Sequence, residues 1–359
     1  MGLGPQWHCA YANDFDAAKG DAYVANFGDR PDPRDIWDVA SADLPGQPDL
    51  VWTSPPCQDL SLAGRRSGLD GGRSSAFFGF WRLITGLRAE RRAPALIVLE
   101  NVTGLFTSNG GADFAALCRS MCDGGYRFGA MVLDAAHFLP QSRPRLFVIA
   151  VDKSCHLPET CISSAPVRSN GIGAALASLP EDLKSRWIDW AVPQPPTCET
   201  ALIDLLQDDL PDSAWRSETQ TRALIAQMDN ANRARLDAAL ASGTPQVGAI
   251  YRRTRTENGE KRQRAEIRFD GRAGCLRTPG GGSSRQFLMM CRNGQARSRL
   301  MTPRETARLM GLPDDYALPG TAAAACRLTG DGVVVPVVAW LNQHLLWPLL
   351  QANRQDIAA

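Results

Sequence analysis

The chain has 359 residues, 44% hydrophobic and 21% charged, with 39 Lys and Arg against 38 Asp and Glu and a net charge of +1. That composition suits one large globular domain plus a smaller one; it excludes a disordered chain and any bulk basic attraction to nucleic acid, so such a surface has to be local. The longest apolar runs fall short of the ~18 residues of a membrane helix, no charged-then-apolar leader opens the sequence, and the ten cysteines include no CxxC. Reduced thiols in a cytoplasmic setting are predicted, with no metal site and no membrane.

In chain order, "HCAYANDFD" predicts a strand ending in acids, and "AAKGDAYVANFG" a helix closed by Gly28. "DLVWTSPP" is a buried strand, "SAFFGFWRLITGLRAERR" a helix with a basic last turn, and "PALIVLENV" a second buried strand. "ADFAALCRSMCDGGY" is a helix ending at Gly124 or Gly125, with Cys118 and Cys122 on one face; "RFGAMVLDAAHF" and "RLFVIAVD" are two further strands. Strand and helix alternating in this way predict an α/β fold on a mostly parallel sheet, with a ligand site at the carboxyl ends of its strands. Asp14 and Asp16, Asp35, Cys57 and Glu100 converge there.

The pattern breaks after residue 152. Residues 153–199 are rich in Pro, Ser and Gly, and "VPQPPT" within them reads as an ordered linker. Two helical pieces follow, "CETALIDLLQ" and "TRALIAQMDNANRARLDAALAS", then "YRRTRTENGEKRQRAEIRF", a hairpin around Asn258-Gly259 with basic residues on both arms. Beyond a glycine-rich loop, "TPGGGSSRQ", Thr302 and Pro303 start a capped helix, and "GDGVVVPVVAWLNQHLLWPLL" is a buried apolar helix. The organisation predicted is a catalytic unit over 1–152, a recognition region over 153–270, and a segment over 271–359 that completes the recognition domain and returns to the catalytic one.

Three elements carry chemistry. "SPPCQ" places Cys57 behind Pro55 and Pro56, "ENV" places Glu100 at a strand end, and "QSRPR" places Arg143 and Arg145 before another strand. A thiolate needs nearby positive charge, a carboxylate in a pocket can hold a proton, and guanidinium groups orient carboxylates. Each alone reads as a buried thiol, a strand end or a solvated turn; in this order, each at a strand end, they read as an active site.

"SPPCQDLSLAG", "ENV" and "QSRPR" resemble the fourth, sixth and eighth motifs of the DNA cytosine-5 methyltransferases. "ANDFD" and "DIWDV" resemble the second and third, "LRTPGGGSSRQ" with "RLMTPRETARLMGLPDDY" the ninth, and "GDGVVVPVV" the tenth. The resemblance implies a Rossmann-like class I methyltransferase with a smaller target-recognition domain, taking a methyl group from S-adenosyl-L-methionine to carbon 5 of a flipped-out cytosine in double-stranded DNA. It implies Cys57 as the nucleophile adding to carbon 6, Glu100 on ring N3 and the exocyclic amine, Arg145 on the ring carbonyl, and Arg143 positioning Glu100 and the thiolate. On the cofactor side it implies Asp14, Phe15, Asp35, Ile36, Pro56, Asp331 and Val333. On the DNA side it implies a closing loop that begins at Ser61 and carries Arg65 and Arg66, with Arg252, Arg253 and Arg255 on the hairpin. It further implies a bacterial or phage protein, nucleoid-associated and monomeric, with a cognate restriction endonuclease as candidate partner.

Two departures stand out. The family's opening strand and Phe-x-Gly-x-Gly-Gly loop, which wraps the methionine part of the donor, have no counterpart; the first residues of the chain resemble the family's helix on the far side of that loop, which implies a reading frame starting upstream. The tenth motif, commonly Gly-Asn-Ser-Val, reads "GDGV" here, so Asp331 replaces an amide and Gly332 a hydroxyl. The missing loop keeps one alternative in view, a DNA-binding remnant with impaired catalysis, and the shared fold a second, a transfer-RNA cytosine methyltransferase.

Overall fold

The computed structural model describes residues 1–56, 76–166, 168–257, 259–278 and 285–358. Cys57, Ser61, Arg65 and Arg66 lie outside the described residues.

Helix α1 (Ala17–Phe27) starts where the Asp16 carboxylate accepts from the Ala18 and Lys19 amides, and it ends at Gly28, whose φ of 88° favours glycine. The first sheet contains β1 (Leu50–Thr53), β2 (Leu96–Asn101), β3 (Tyr126–Asp134) and β4 (Pro144–Asp152) in the order β1-β2-β4-β3. Helices α2 (Ala76–Ala89) and α3 (Ala112–Asp123) follow β1 and β2. α2 turns Phe77, Phe80, Leu83, Ile84 and Leu87 inward, the spacing of one helical face. Every residue of β2 is buried, the apolar Leu96–Leu99 and the polar Glu100 and Asn101 alike.

The expectation of a mostly parallel sheet is corrected. Only β1 and β2 pair in parallel; β4 pairs antiparallel with both β2 and β3. The cause is the connection from β3 to β4, Ala135 to Arg143, which is too short for a crossover helix. Asp134 closes it by accepting from the amides of Ala136 (3.0 Å) and Arg143 (2.7 Å). β4 therefore turns back and inserts beside β2.

The strand expected over "HCAYANDFD" is also corrected. That segment makes a single bridge, Asn13 with Asp32, and Tyr11 donates to Asp32 at 3.0 Å. A strand needs a hydrogen-bonded neighbour along its length, and among the described residues this segment has none.

The intervening region holds α4 (Asn170–Ser178), α5 (Glu181–Lys184), α6 (Glu218–Ile225) and α7 (Asn230–Ala241). "CETALIDLLQ" forms only a short 3-10 turn, Leu202–Leu205. The long helix expected after it divides because Asp229 caps a new start, accepting from the Asn232 amide. A second sheet, fully antiparallel, contains β5 (Gln246–Glu257), β6 (Glu260–Arg268), β7 (Phe287–Arg292) and β8 (Gln295–Leu300) in the order β6-β5-β7-β8. β5 and β6 are the expected hairpin. One face of this sheet, with Ile250, Phe287 and Met289, packs on α6 and α7. The other, with Val247, Ala249 and Leu288, joins the core that also packs the first sheet. The period-2 alternation thus ties the two sheets together.

Helix α8 (Pro303–Arg308) has the expected Thr302 cap, with Glu305 completing a capping box. The chain ends in α9 (Ala322–Asp331), α10 (Val335–Leu341) and α11 (Trp347–Ala358). Ala322–Arg354 is, contrary to the apolar-run reading, long and apolar enough by length and composition to cross a membrane, yet half of its most apolar window is buried inside the protein. Gly332 to Val334 interrupts it.

Candidate active site

β2 ends at Glu100 and Asn101, both buried. Asn101 donates its amide to the Pro55 carbonyl at 3.0 Å, which fixes the segment leading to Cys57 against the end of β2. Pro56 is the last described residue before the thiol. Arg145 is the second residue of β4, and its Nε stands 3.0 Å from Glu100 Oε1.

Burial pushes the Glu100 carboxyl above its ordinary value, against the opposing pull of Arg145, Arg143 and a hydrogen bond from Ser54. The desolvation of a carboxylate at 6% exposure outweighs two cations. The group is therefore held closer to protonation than a surface glutamate, and it can share a proton with a ligand.

Arg143 bridges two other segments of the chain, and its charge also acts on Glu100. It donates to the carbonyls of Leu276 (2.9 Å), Gly330 (2.9 Å) and Gly332 (2.8 Å), and its Nη1 lies 3.5 Å from Cys275 Sγ. Its hydrogen bonds go to these segments and not to Glu100. Burial, then the neighbouring Arg145 charge, lowers the pKa of this guanidinium. Gly330 makes the arrangement possible: a Cβ there would stand 2.6 Å from the backbone of Arg277 and Thr278, so only glycine lets α9 approach this closely. Gln141, from the same "QSRPR" motif, is fully buried; it donates to Leu309 O at 2.7 Å and accepts from the Leu276 amide at 3.1 Å. Sequence reasoning passed over it, though an amide next to two functional arginines was the available signal.

A cavity of about 1380 Å³ runs past this centre. Its wall includes Pro56, Glu100, Arg143 and Arg145, and also Asp14, Phe15, Asp35, Ile36 and Asp331. The convergence expected from strand ends is therefore present in the described part, although Asp14 and Asp35 come from irregular segments. The Asp14 carboxylate accepts from the Asp16 amide at 2.9 Å and the Asp35 carboxylate from the Trp37 amide at 3.0 Å. Phe15 is 77% exposed, an unusual position for a large aromatic ring. Ile36 packs against the α2 side of the core, and Val333 against the C-terminal helices.

Asp331 is not a lone acid. Lys19 Nζ stands 2.8 Å from its Oδ2 and 3.6 Å from Asp14 Oδ2, and Thr278 donates its hydroxyl to Oδ1. Lys19 carried no sequence signal of its own.

The hairpin arginines divide by face. Arg253 and Arg255 both address Glu266, at 3.8 Å and 2.5 Å. Arg252 lies on the other face, donates to Gln263 at 3.1 Å and sits 5.0 Å from the Phe287 ring centroid. Arg216 lies over the same ring at 5.1 Å.

A profile of the C-5 cytosine-specific DNA methylases matches residues 3–347. Type II methyltransferase M.HhaI of Haemophilus parahaemolyticus is 24% identical over 338 residues, covering 94% of this chain and 87% of the relative. Type II methyltransferase M.MspI of Moraxella sp. is 22% identical, covering 97% of this chain and 67% of the relative. Among solved structures, the Dnmt2 methyltransferase of S. pombe superposes with a TM-score of 0.59 at 19% identity, covering 95% of this chain and 91% of that one. With a match that spans nearly its whole length, the chain belongs to the C-5 cytosine-specific DNA methylase family.

Proposed function

We propose that this protein transfers a methyl group from S-adenosylmethionine to carbon 5 of a cytosine flipped out of double-stranded DNA. The observation that carries the reading is the buried Glu100–Arg145 pair, set in the cavity wall beside Pro55 and Pro56, immediately before Cys57. Glu100, held toward its protonated form, suits a hydrogen bond to ring N3, and Arg145 suits the ring carbonyl. Both raise the ring's electrophilicity at carbon 6. The Cys57 thiolate adds there, and its electron pair makes carbon 5 nucleophilic. After carbon 5 takes the methyl group, loss of its proton to a base returns the electrons and expels the thiolate.

The same cavity wall carries groups that fit the donor. Phe15 offers an exposed face for a flat base, Asp14 an acceptor for a ribose diol, and Asp35 with Ile36 a polar and an apolar edge for adenine. When bound, S-adenosylmethionine supplies an electrophilic methyl group. Arg143 fixes the segments that carry Cys275, Leu276 and Gly332 around the site, and so acts on catalysis by positioning. Arg252, Arg253 and Arg255 are proposed to meet the DNA, as are Ser61, Arg65 and Arg66. The Type II names of the relatives support a role beside a cognate restriction endonuclease.

The test is transfer of labelled methyl groups from S-adenosylmethionine. The account expects label in duplex DNA and none with Cys57→Ser. Label in transfer RNA alone, or label undiminished in the serine variant, overturns it.

A further inference from the structure

Asp331 places a carboxylate where an amide is common in the family, and the structure supplies its answer from the other end of the chain. Lys19 lies in the first turn of α1, and Asp331 is the last residue of α9. The ammonium sits between Asp331 Oδ2 (2.8 Å) and Asp14 Oδ2 (3.6 Å). Its side chain is 25% exposed and that of Asp331 35%, so both line the cavity without being lost in the core. A third carboxylate close by, Asp16, has its own partner in Arg327 at 3.2 Å. Burial alone would weaken the Lys19 charge, but the bond to Asp331 and the charges of Asp14, Asp331 and Asp16 raise its pKa instead.

We infer that Lys19 is a positioning residue of the methyl-donor pocket, holding Asp14 in place and neutralising Asp331 by sitting between their carboxylates. The inference rests on the donor reading above. Without Lys19 the two carboxylates lose their common counter-ion and repel; with Asp331 also made an amide, the repulsion is gone. The two residues are therefore coupled, and their effects on donor binding are non-additive. A lysine that merely packed against α1 would show no such rescue.

The experiment is calorimetry of S-adenosylhomocysteine, the thioether that lacks the reactive methyl, on the full chain and four variants. Lys19→Met is expected to weaken binding about fivefold, the range of a partly exposed ion pair. Lys19→Arg and Asp331→Asn are expected to stay within about twofold of the parent, and Lys19→Met/Asp331→Asn to return to about twofold. Thermal midpoints of all variants confirm that each is folded, and Lys19→Arg carries the charge test even if Lys19→Met does not fold. Binding by the parent with no recovery in the double variant, or about a fivefold loss in Lys19→Arg, overturns the inference alone. No binding by the parent overturns the donor reading and this inference with it.

Discussion

Replacing Arg143 by methionine removes a buried guanidinium that joins β4 to the Leu276 segment and to the end of α9. Leu276 is 6% exposed and Gly330 is buried, so their carbonyls lose partners in places water does not reach; each such orphan costs about 1–3 kcal/mol. Gly332 is half-buried and can be rehydrated, so it adds little. Against this, the variant is relieved of a buried charge whose pKa is lowered by burial and by Arg145, and of a buried Nε that has no hydrogen-bond partner among the described residues. The balance is a loss of about 2–4 kcal/mol. Arg143→Lys, which keeps the charge but loses the planar fork, should lose about half as much. Urea unfolding followed by tryptophan fluorescence gives the number. A loss under about 0.5 kcal/mol for Arg143→Met refutes the staple, because the carbonyls would then have found other partners.

The same geometry makes three further predictions. Glu100 has a folded pKa raised above its unfolded one, so its contribution to stability is fully present below the unfolded value and is lost as pH rises through the folded one; unfolding midpoints of Glu100→Gln should fall less than the parent's as pH rises above the unfolded glutamate value, and parallel curves would contradict the shift. Glu305→Ala strands Arg299, whose guanidinium it holds at 2.6 and 2.7 Å with both side chains at most 2% exposed; a loss of about 3–5 kcal/mol is expected in the same unfolding assay. Glu266→Gln releases Arg253 and Arg255 from their shared carboxylate, so duplex affinity should rise and the salt dependence steepen by about one unit of slope, read by fluorescence anisotropy across a salt series; an unchanged slope argues that neither arginine reaches DNA.

The sequence was most readable where one residue pattern had one physical solution. β2 opens with the apolar run Leu96–Leu99 and is wholly buried; α1 begins and ends on its capping residues; the β5–β6 hairpin pairs Glu257 with Glu260. Sheet direction was not readable from periodicity, because parallel and antiparallel strands share the period of two. The shortness of the Ala135 to Arg143 connection was the clue that went unused. Likewise Asp229, a cap in the middle of an apparent helix, announced the break between α6 and α7. In the site, Glu100 and Arg145 were legible as residue types, and they form an ion pair at 3.0 Å. The partners of Arg143 and Asp331 were not: Leu276, Gly330 and Lys19 come from distant parts of the chain, and only the fold brings them together.

The central claim is a covalent bond between Cys57 and carbon 6 of cytosine, and mass spectrometry of the protein mixed with S-adenosylmethionine and a duplex containing 5-fluorocytosine tests it most directly. Fluorine at carbon 5 cannot leave as a proton does, so the account predicts a stable protein–DNA adduct, mapped to Cys57 and absent from Cys57→Ser. An adduct that persists in the serine variant, or methylation of ordinary duplex DNA with no adduct on the fluorinated one, would contradict it.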